Sequence, residues 1–359
     1  MMTKENVKEP PRDARAEEAF SVRQNDVAIR MLRVTPHGRP CAAQGKRWGV
    51  LLAGGDGTRL QRLTRLICGD DRPKQFCPLI GNETLLEQTR QRAERSILPE
   101  QILVPVTRSH RAFYLQEAGI RPWQRIVQPA NKGTGLPILY SLLSIEQNDD
   151  DALVAILPCD HHYSDEPAFT TALEAAFDSA ARHPDSVVLL GALPQGPEVE
   201  YGWIELGAPA GGTSFHVRRF CEKPPVHVAR ELIERGALWN TFVMVGHVRG
   251  FLEMMNGALL GVVEQLRRSP LWAGEEEHIP DALYERMHPV DFSRQVLSVQ
   301  ANRLVALRMA HTGWSDLGHP DRVVAVLRET GLDPWWMQEW QTPSESPAIV
   351  AQAANTAIA

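Results

Sequence analysis

The sequence predicts an α/β fold: a mostly parallel sheet flanked by helices, with a smaller strand-plus-helix part attached. Three observations predict it. Between Gly45 and Gly191, short apolar runs alternate with helix-length segments, the pattern of βαβ units. The first run, ending in Val50-Leu-Leu-Ala, passes directly into Gly54-Gly-Asp-Gly-Thr-Arg59, and open α/β sheets hold their ligands at such carboxyl ends. After Gly191 the alternation gives way to paired strand-like runs around Gly211-Gly212.

The elements follow in order. The first strand and its glycine loop precede a helix expected over Glu83 to Ile97, with Leu85, Leu86 and Ala93 on one side. Gln101-Ile-Leu-Val-Pro-Val is a strand, Ser109 to Ala118 a helix, and Arg125-Ile-Val-Gln a third strand. Thr134 to Gln147 is a helix, and Ala152-Leu-Val-Ala-Ile-Leu a very apolar strand. Pro167 to Arg182 is an Ala-rich helix and Ser186 to Gly191 a buried strand. Tyr201 to Leu206 and His216 to Phe220 alternate like paired strands. Val226 to Arg235 is a helix, Trp239 to Val245 a strand, and Arg249 to Arg268 one long amphipathic helix. Pro280 to Met287 is a shorter helix, Val296 to Val299 and Leu304 to Met309 are strands, and Asp321 to Glu329 is the last helix. The expected domains are a flexible extension over 1–45, one domain over 46–330 in two halves, 46–191 and 192–330, and a tail over 331–359. The tail's Trp335, Trp336 and Trp340 are expected to pack on the domain or on a partner subunit rather than bind substrate.

Composition narrows the function. The 359 residues are 43% hydrophobic, enough for a large core, and the net charge is −6. That balance argues against a nucleic-acid binder, which needs a basic face. The five cysteines are scattered without a Cys-x-x-Cys pair, so neither a disulfide framework nor a zinc site is indicated. No apolar run is long enough to span a bilayer and the N-terminus lacks an apolar signal core, so a cytoplasmic enzyme without a membrane partner is expected.

The chemistry-bearing residues sit at the ends of the predicted strands. Glycines let a phosphate approach the backbone, and Arg59, with Lys74 of Arg72-Pro-Lys-Gln-Phe, supplies cations for it. The loop lacks the third glycine of a dinucleotide fingerprint, which would fall at Leu60, and has no Walker Gly-Lys-Ser/Thr. Gln128, before Pro129 and ahead of Gly133, can donate and accept toward a base edge; an ordinary capped turn explains that segment equally well. Asp160 in Leu157-Pro-Cys-Asp-His-His can present a carboxylate to Mg²⁺, with a helix-cap Asp as the alternative. Asp316 in Trp314-Ser-Asp-Leu-Gly is a second carboxylate, read alone as a turn residue. Glu222-Lys223 suits a sugar and its phosphate, as do Tyr201-Gly202 and Asn240; taken singly, each also reads as strand packing or a charged turn.

Taken together, the ordered motifs resemble the sugar-1-phosphate nucleotidyltransferase family from about Arg47 to Val326, nearest to its bacterial mannose-1-phosphate guanylyltransferase branch. The resemblance implies a Rossmann-like, nucleotide-diphospho-sugar transferase type of fold. It implies that Leu52, Ala53, Gly54, Gly55, Gly57 and Thr58 form the nucleotide-phosphate cup and that Arg59 and Lys74 neutralise charge around the reacting phosphorus. It places base and ribose at Gln128 and Gly133, Mg²⁺ on Asp160 and Asp316, hexose on Gly202, Glu222 and Asn240, and its phosphate on Lys223. The implied partners are a nucleoside triphosphate, GTP favoured, and a hexose-1-phosphate, with a homodimer left open. The family usually carries Asn-Ser-Gly where this chain has Asn240-Thr241-Phe242, and the branch an Arg-Asn-Thr-Ala-Pro type of run where this chain has Asn131-Lys-Gly-Thr-Gly. No second long domain follows, so an added isomerase activity is not expected. Three alternatives remain open: a non-catalytic nucleotide-sugar sensor, a nicotinamide oxidoreductase, and a guanylyltransferase acting on a non-sugar phosphate such as a pterin cofactor.

Overall fold

Strand β1 (Arg47–Leu52) is the axis of the molecule. In a computed structural model describing residues 46–259, 261–267 and 277–341, it lies between β2 (Ile102–Thr107) and β4 (Leu153–Pro158), parallel to both. The expected extension over 1–45 and the Ala-rich end of the tail lie outside the described residues. Beyond β2 come β3 (Arg125–Gln128) and the short β9 (Glu277–His278), again parallel. On the other side β4 pairs with the antiparallel β8 (Leu238–His247), which also pairs with β5 (Val187–Ala192) and β6 (Gly202–Gly211). β7 (Ser214–Glu222) and β10 (Leu304–Arg308) complete the order β5-β10-β7-β6-β8-β4-β1-β2-β3-β9. The parallel run β4-β1-β2-β3 thus comes from the first half of the chain and is extended by β9, while the antiparallel strands β6, β7 and β8, with β10 parallel to β5, build the smaller part.

Residue alternation sorts the core into two faces. In β4, Val154 and Ile156 point to one apolar cluster while Ala155 and Leu157 point to the other. Short helices lead into the sheet: α1 (Gln61–Cys68), α2 (Leu85–Glu94) and α3 (Arg111–Tyr114). The apolar helix α4 (Gly135–Asn148) covers the first face; α5 (Glu166–Arg182) and α6 (Val226–Glu234) contribute to the second. Helices α7 (Val248–Ala258), α8 (Val262–Arg267) and α9 (Asp281–Glu285) return to the first face. The chain then runs through α10 (Pro320–Thr330) and α11 (Trp336–Gln341). A third cluster, under the glycine loop, joins Leu60 and Leu63 to Leu317, Val323, Leu327 and Trp336.

Several expectations change. The long helix expected over Arg249 to Arg268 is two helices, α7 and α8; Gly261 between them is left-handed (φ 80°), and Leu260 and Arg268 lie outside the described residues. The segment expected as a strand over Val296 to Val299 begins inside a π-helical turn, Ser293–Leu297. There the Ser298 N–H donates to Ser293 O (2.9 Å) and the Asp291 carboxylate caps the Arg294 N–H (3.1 Å). A short apolar run cannot by itself separate strand from buried helical turn. Helix α1 was not expected; its signals, Leu60, Leu63 and Ile67 at helical spacing and Gly69 as the left-handed stop (φ 79°), were present in the chain. Of the tail tryptophans, Trp336 is buried, Trp340 stacks under Arg62 and Trp335 is exposed. We expect Trp336→Ala to cost about 3–5 kcal/mol, the usual price of a buried tryptophan, read as a lower urea midpoint.

Candidate functional site

All the parallel strands end at one edge. β1 delivers the glycine loop there, β3 delivers Gln128, and β4 delivers Asp160. β10 runs parallel to β5 and leads toward Trp314 to Gly318. β8 runs the other way, so its first residues, Trp239 and Asn240, meet the end of β5 at the same edge. An open cleft of about 640 Å³ lies along it.

The cleft collects residues from both halves of the chain. From the first half come Leu52, Gly54, Gly55, Arg59, Gln128 and Gly133. From the other side come Gly202, Glu222, Lys223 and Asn240, and between them Asp160 and Asp316. Ala53, Gly57, Thr58 and Lys74 are not on its wall. Ala53 is buried, its N–H bonded to Pro105 O at 3.0 Å, and Gly57 and Thr58 form the turn into a short 3₁₀ segment, Thr58–Leu60.

Two glycines are demanded by their surroundings. A Cβ on Gly54 would lie 2.4 Å from Gln128 Nε2, so only glycine admits the Gln128 amide so close. Gly133 is left-handed (φ 85°), and a Cβ there would meet Val290 O at 2.4 Å. Gln128 is buried; its Nε2 donates to Thr107 Oγ1 (3.2 Å) and its Oε1 accepts from Tyr284 OH (3.0 Å). Gln75 holds the loop from below, donating to Ala53 O (2.9 Å) and Gly55 O (2.7 Å).

Lys74 corrects an expectation. Its ammonium does not face the cleft but is buried behind it, donating to Asp316 O (2.7 Å) and Leu317 O (3.2 Å), with Asp160 Oδ2 at 3.2 Å. An ammonium has three N–H donors, and three acceptors surround this one. Asp316 departs from expectation for a similar reason. Both its carboxylate oxygens are held by Arg322 (2.8 and 2.9 Å), and Oδ1 also accepts from Tyr201 OH (2.9 Å) and the Gly318 N–H (3.0 Å). Burial pushes this carboxyl's pKa up, but surrounding positive charge, Arg322 and Lys74 included, outweighs burial and holds it below the usual carboxylate range.

A magnesium ion, expected on Asp160 and Asp316, takes one or two carboxylates together with phosphate oxygens. Asp160 fits that requirement: its side chain is one-third exposed on the cleft wall. Asp316, its oxygens already bound by a guanidinium, does not fit as the second ligand in this arrangement. His161 lies on the cleft wall and His162 is buried. His161 Nδ1 accepts from Trp314 Nε1 (3.2 Å), and His162 bridges to Ser315 through paired backbone bonds.

On the opposite wall, Glu222 and Lys223 stand together (Nζ–Oε1 3.7 Å), and the Lys223 N–H donates to Tyr201 O (3.0 Å). Burial raises the Glu222 carboxyl pKa, opposed by the Lys223 charge. Tyr201 and Trp314, both on the wall, form an aromatic group with Trp239, centroids 5.1 to 6.3 Å apart.

The single-motif reading missed the charges that organise this edge. Arg322 donates to Glu198 (2.8 Å) and Glu200 (3.2 Å) as well as to Asp316, and lies over the Tyr201 ring at 4.7 Å. Glu200 in turn holds Arg59 (3.1 Å). Asn131 donates to Asp56 (2.9 Å), which lies 3.2 Å from His110 Nε2. The available signal was an Arg one turn after Trp-Ser-Asp-Leu-Gly, but nothing in sequence ties it to Glu198 and Glu200.

With this geometry, the chain belongs to the nucleotidyl transferase family, whose sequence profile matches residues 48–330. It is 29% identical over 294 residues to the xanthan biosynthesis protein XanB of Xanthomonas campestris pv. campestris (strain B100), covering 79% of this chain and 60% of that one. It is 31% identical over 221 residues to the mannose-1-phosphate guanylyltransferase of Escherichia coli (strain K12), covering 59% and 45%. The chain thus spans less than two thirds of the length of these relatives. A crystal structure from Thermus thermophilus, described as a mannose-1-phosphate geranyltransferase, matches with a TM-score of 0.68 at 30% identity over 80% of each chain. Among the described residues no helix is long and apolar enough to cross a membrane.

Removing Arg322 would strand the Asp316 carboxylate in a half-buried site. We expect Arg322→Ala to destabilise by about 2–4 kcal/mol, read by urea unfolding. Adding Asp316→Asn should recover a good part of that loss; equal, additive losses would show the pair uncoupled.

Proposed function

We propose that this chain joins a nucleoside triphosphate to a hexose-1-phosphate, forming a nucleoside-diphosphate sugar and releasing pyrophosphate. The favoured pair is GTP with mannose-1-phosphate, a choice supported by the names of the relatives. The observation that carries the proposal is the meeting, in one cleft, of Gly54, Gly55 and Arg59 with Glu222, Lys223 and Asn240. One group suits a triphosphate and the other a sugar with its phosphate.

In this reading a sugar-phosphate oxygen attacks the α-phosphorus in line and pyrophosphate leaves. Such a reaction asks the protein chiefly for positioning and charge stabilisation. The sugar phosphate is already ionised at neutral pH, so no general base is needed. Arg59 reaches the nucleotide phosphates by releasing Glu200, an exposed ion pair that costs little to break. Gln128, its amide fixed by Thr107 and Tyr284, forms the floor under the nucleoside. Glu222 and Asn240 accept and donate to sugar hydroxyls, and Lys223 meets the sugar phosphate. Mg²⁺ held by Asp160 would supply neutralising charge to the phosphate oxygens. Lys74 acts from behind, fixing Asp160 and the Asp316–Leu317 backbone.

The test is a pyrophosphate-release matrix of four nucleoside triphosphates against common hexose-1-phosphates with Mg²⁺. Release confined to one pair identifies the substrates, and binding without release would favour a non-catalytic sensor. Two variants then separate the cations. Arg59→Ala should lower turnover roughly 10²–10³-fold with the thermal midpoint unchanged, because Arg59 is exposed. Lys74→Ala should lower both turnover and midpoint, because it leaves buried acceptors unpaired. A Lys74→Ala protein with normal turnover would end its assigned role.

A further inference from the structure

Phe242 occupies a backbone conformation that a bulky residue rarely adopts. Its φ is +61°, in the left-handed region. The surrounding strand enforces it. β8 is bulged against β5, with Leu189 paired to Met244 but Gly191 to Asn240. Thr241 Oγ1 donates to Leu190 O (2.7 Å) and accepts from the Val243 N–H (3.3 Å), and Asn240 Oδ1 accepts from the Phe242 N–H (3.2 Å). The backbone makes a glycine-like turn here, yet it carries an aromatic ring. That ring meets Phe292 edge-on (centroids 6.2 Å, 68°) and belongs to the cleft wall with Asn240, Glu222 and Ser293. Backbone strain that its neighbours over-determine, at a ligand-facing residue, points to a function for that residue.

Resting on the sugar-phosphate reading of this end of the cleft, we propose that Phe242 is a specificity-determining residue. Its ring sets the upper size of the sugar, rejecting hexose-1-phosphates enlarged on the side that faces β8. The test compares wild type, Phe242→Gly and Phe242→Leu on plain hexose-1-phosphates and on 2-acetamido and 6-O-acetyl counterparts. Phe242→Gly should raise the ratio of kcat/KM for at least one enlarged sugar over the plain one by about tenfold or more, with Phe242→Leu between. An unchanged ratio for every enlarged sugar in both variants overturns the proposal; if the glycine variant does not fold, the leucine variant decides. Calorimetry with a nucleoside-diphosphate hexose and its 2-acetamido analogue runs alongside. Wild type that binds but releases no pyrophosphate sinks the catalytic reading alone, and the Kd ratio then judges the size limit.

A separate observation carries a second proposal. Cys68 ends α1, Cys77 follows the Lys74–Phe76 turn, and their Sγ atoms lie 3.3 Å apart. Cys77 is fully buried and Cys68 partly exposed. The Cys77 contact lowers the pKa of the Cys68 thiol; burial opposes this, and the Arg72 charge adds to it. The segment between them carries Lys74 and Gln75, which fix the Asp316–Leu317 backbone and the glycine loop.

We infer that a hydroperoxide converts this pair to a disulfide and so displaces the segment. The Cys68 thiolate attacks a peroxide oxygen; the O–O bond breaks, Cys68 becomes a sulfenic acid, and the leaving hydroxide takes up the proton released by the thiol to depart as water. Cys77 gives up its proton and attacks the Cys68 sulfur; the S–O bond breaks and a second water leaves. The thiols lose two electrons and hydrogen peroxide gains them. The sulfurs must close to about 2.05 Å, drawing the two ends of the segment together. The experiment treats the full chain with hydrogen peroxide and follows peptide masses and pyrophosphate release. A Cys68–Cys77 disulfide should form, turnover should fall at least about tenfold, as a misplacement near 1 Å can cause, and dithiothreitol should restore it. Cys68→Ser should keep its turnover under peroxide. Two thiols still alkylatable after treatment, a disulfide without loss of turnover, or equal inactivation of Cys68→Ser each overturns the switch.

Discussion

The ammonium of Lys74 is the contact on which the site depends. It meets the end of β4 at Asp160 and the loop after β10 at Asp316 and Leu317, while its own segment supports the glycine loop through Gln75. Four stretches far apart in sequence are thereby fixed to one another. A buried charge is tolerable only where its hydrogen bonds are made, so the acceptors around Lys74 and Lys74 itself specify each other's positions.

A second chain of charges runs along the rim, from Asp316 through Arg322 to Glu200 and Arg59. Its inner end is half-buried and its outer end exposed. The inner pair therefore sets structure, while the outer pair is free to exchange partners when an anion arrives. The same device holds Arg59 near the glycine loop without leaving it unpaired.

Much of this was legible in the chain. The strand-loop junction at Leu52-Ala53-Gly54, the apolar strand before Asp160 and the run at Glu222-Lys223 all predicted positions at one edge, and Leu52, Gly54, Asp160, Glu222 and Lys223 line the cleft there. Local periodicity gives strands and helices, and the parallel arrangement follows from their alternation. What was not legible depends on partners brought together by the fold. Lys74 read as a cleft cation because sequence cannot show that Asp316 O and Leu317 O would meet it. Asp316 read as a metal ligand because its partner Arg322 is a long-range match to Glu198 and Glu200 as well. The π turn at Ser293–Leu297 was hidden because Val296 and Leu297 are equally apolar in a strand or a buried turn.

Trp336 has a consequence for how the protein is made. It closes the cluster beneath Leu60 and Leu63, so the helix that follows the glycine loop rests on residues far along the chain. On a ribosome the glycine loop emerges well before Leu317, Val323 and Trp336, which support it. The nascent chain must therefore carry this motif unsupported until Trp336 has emerged.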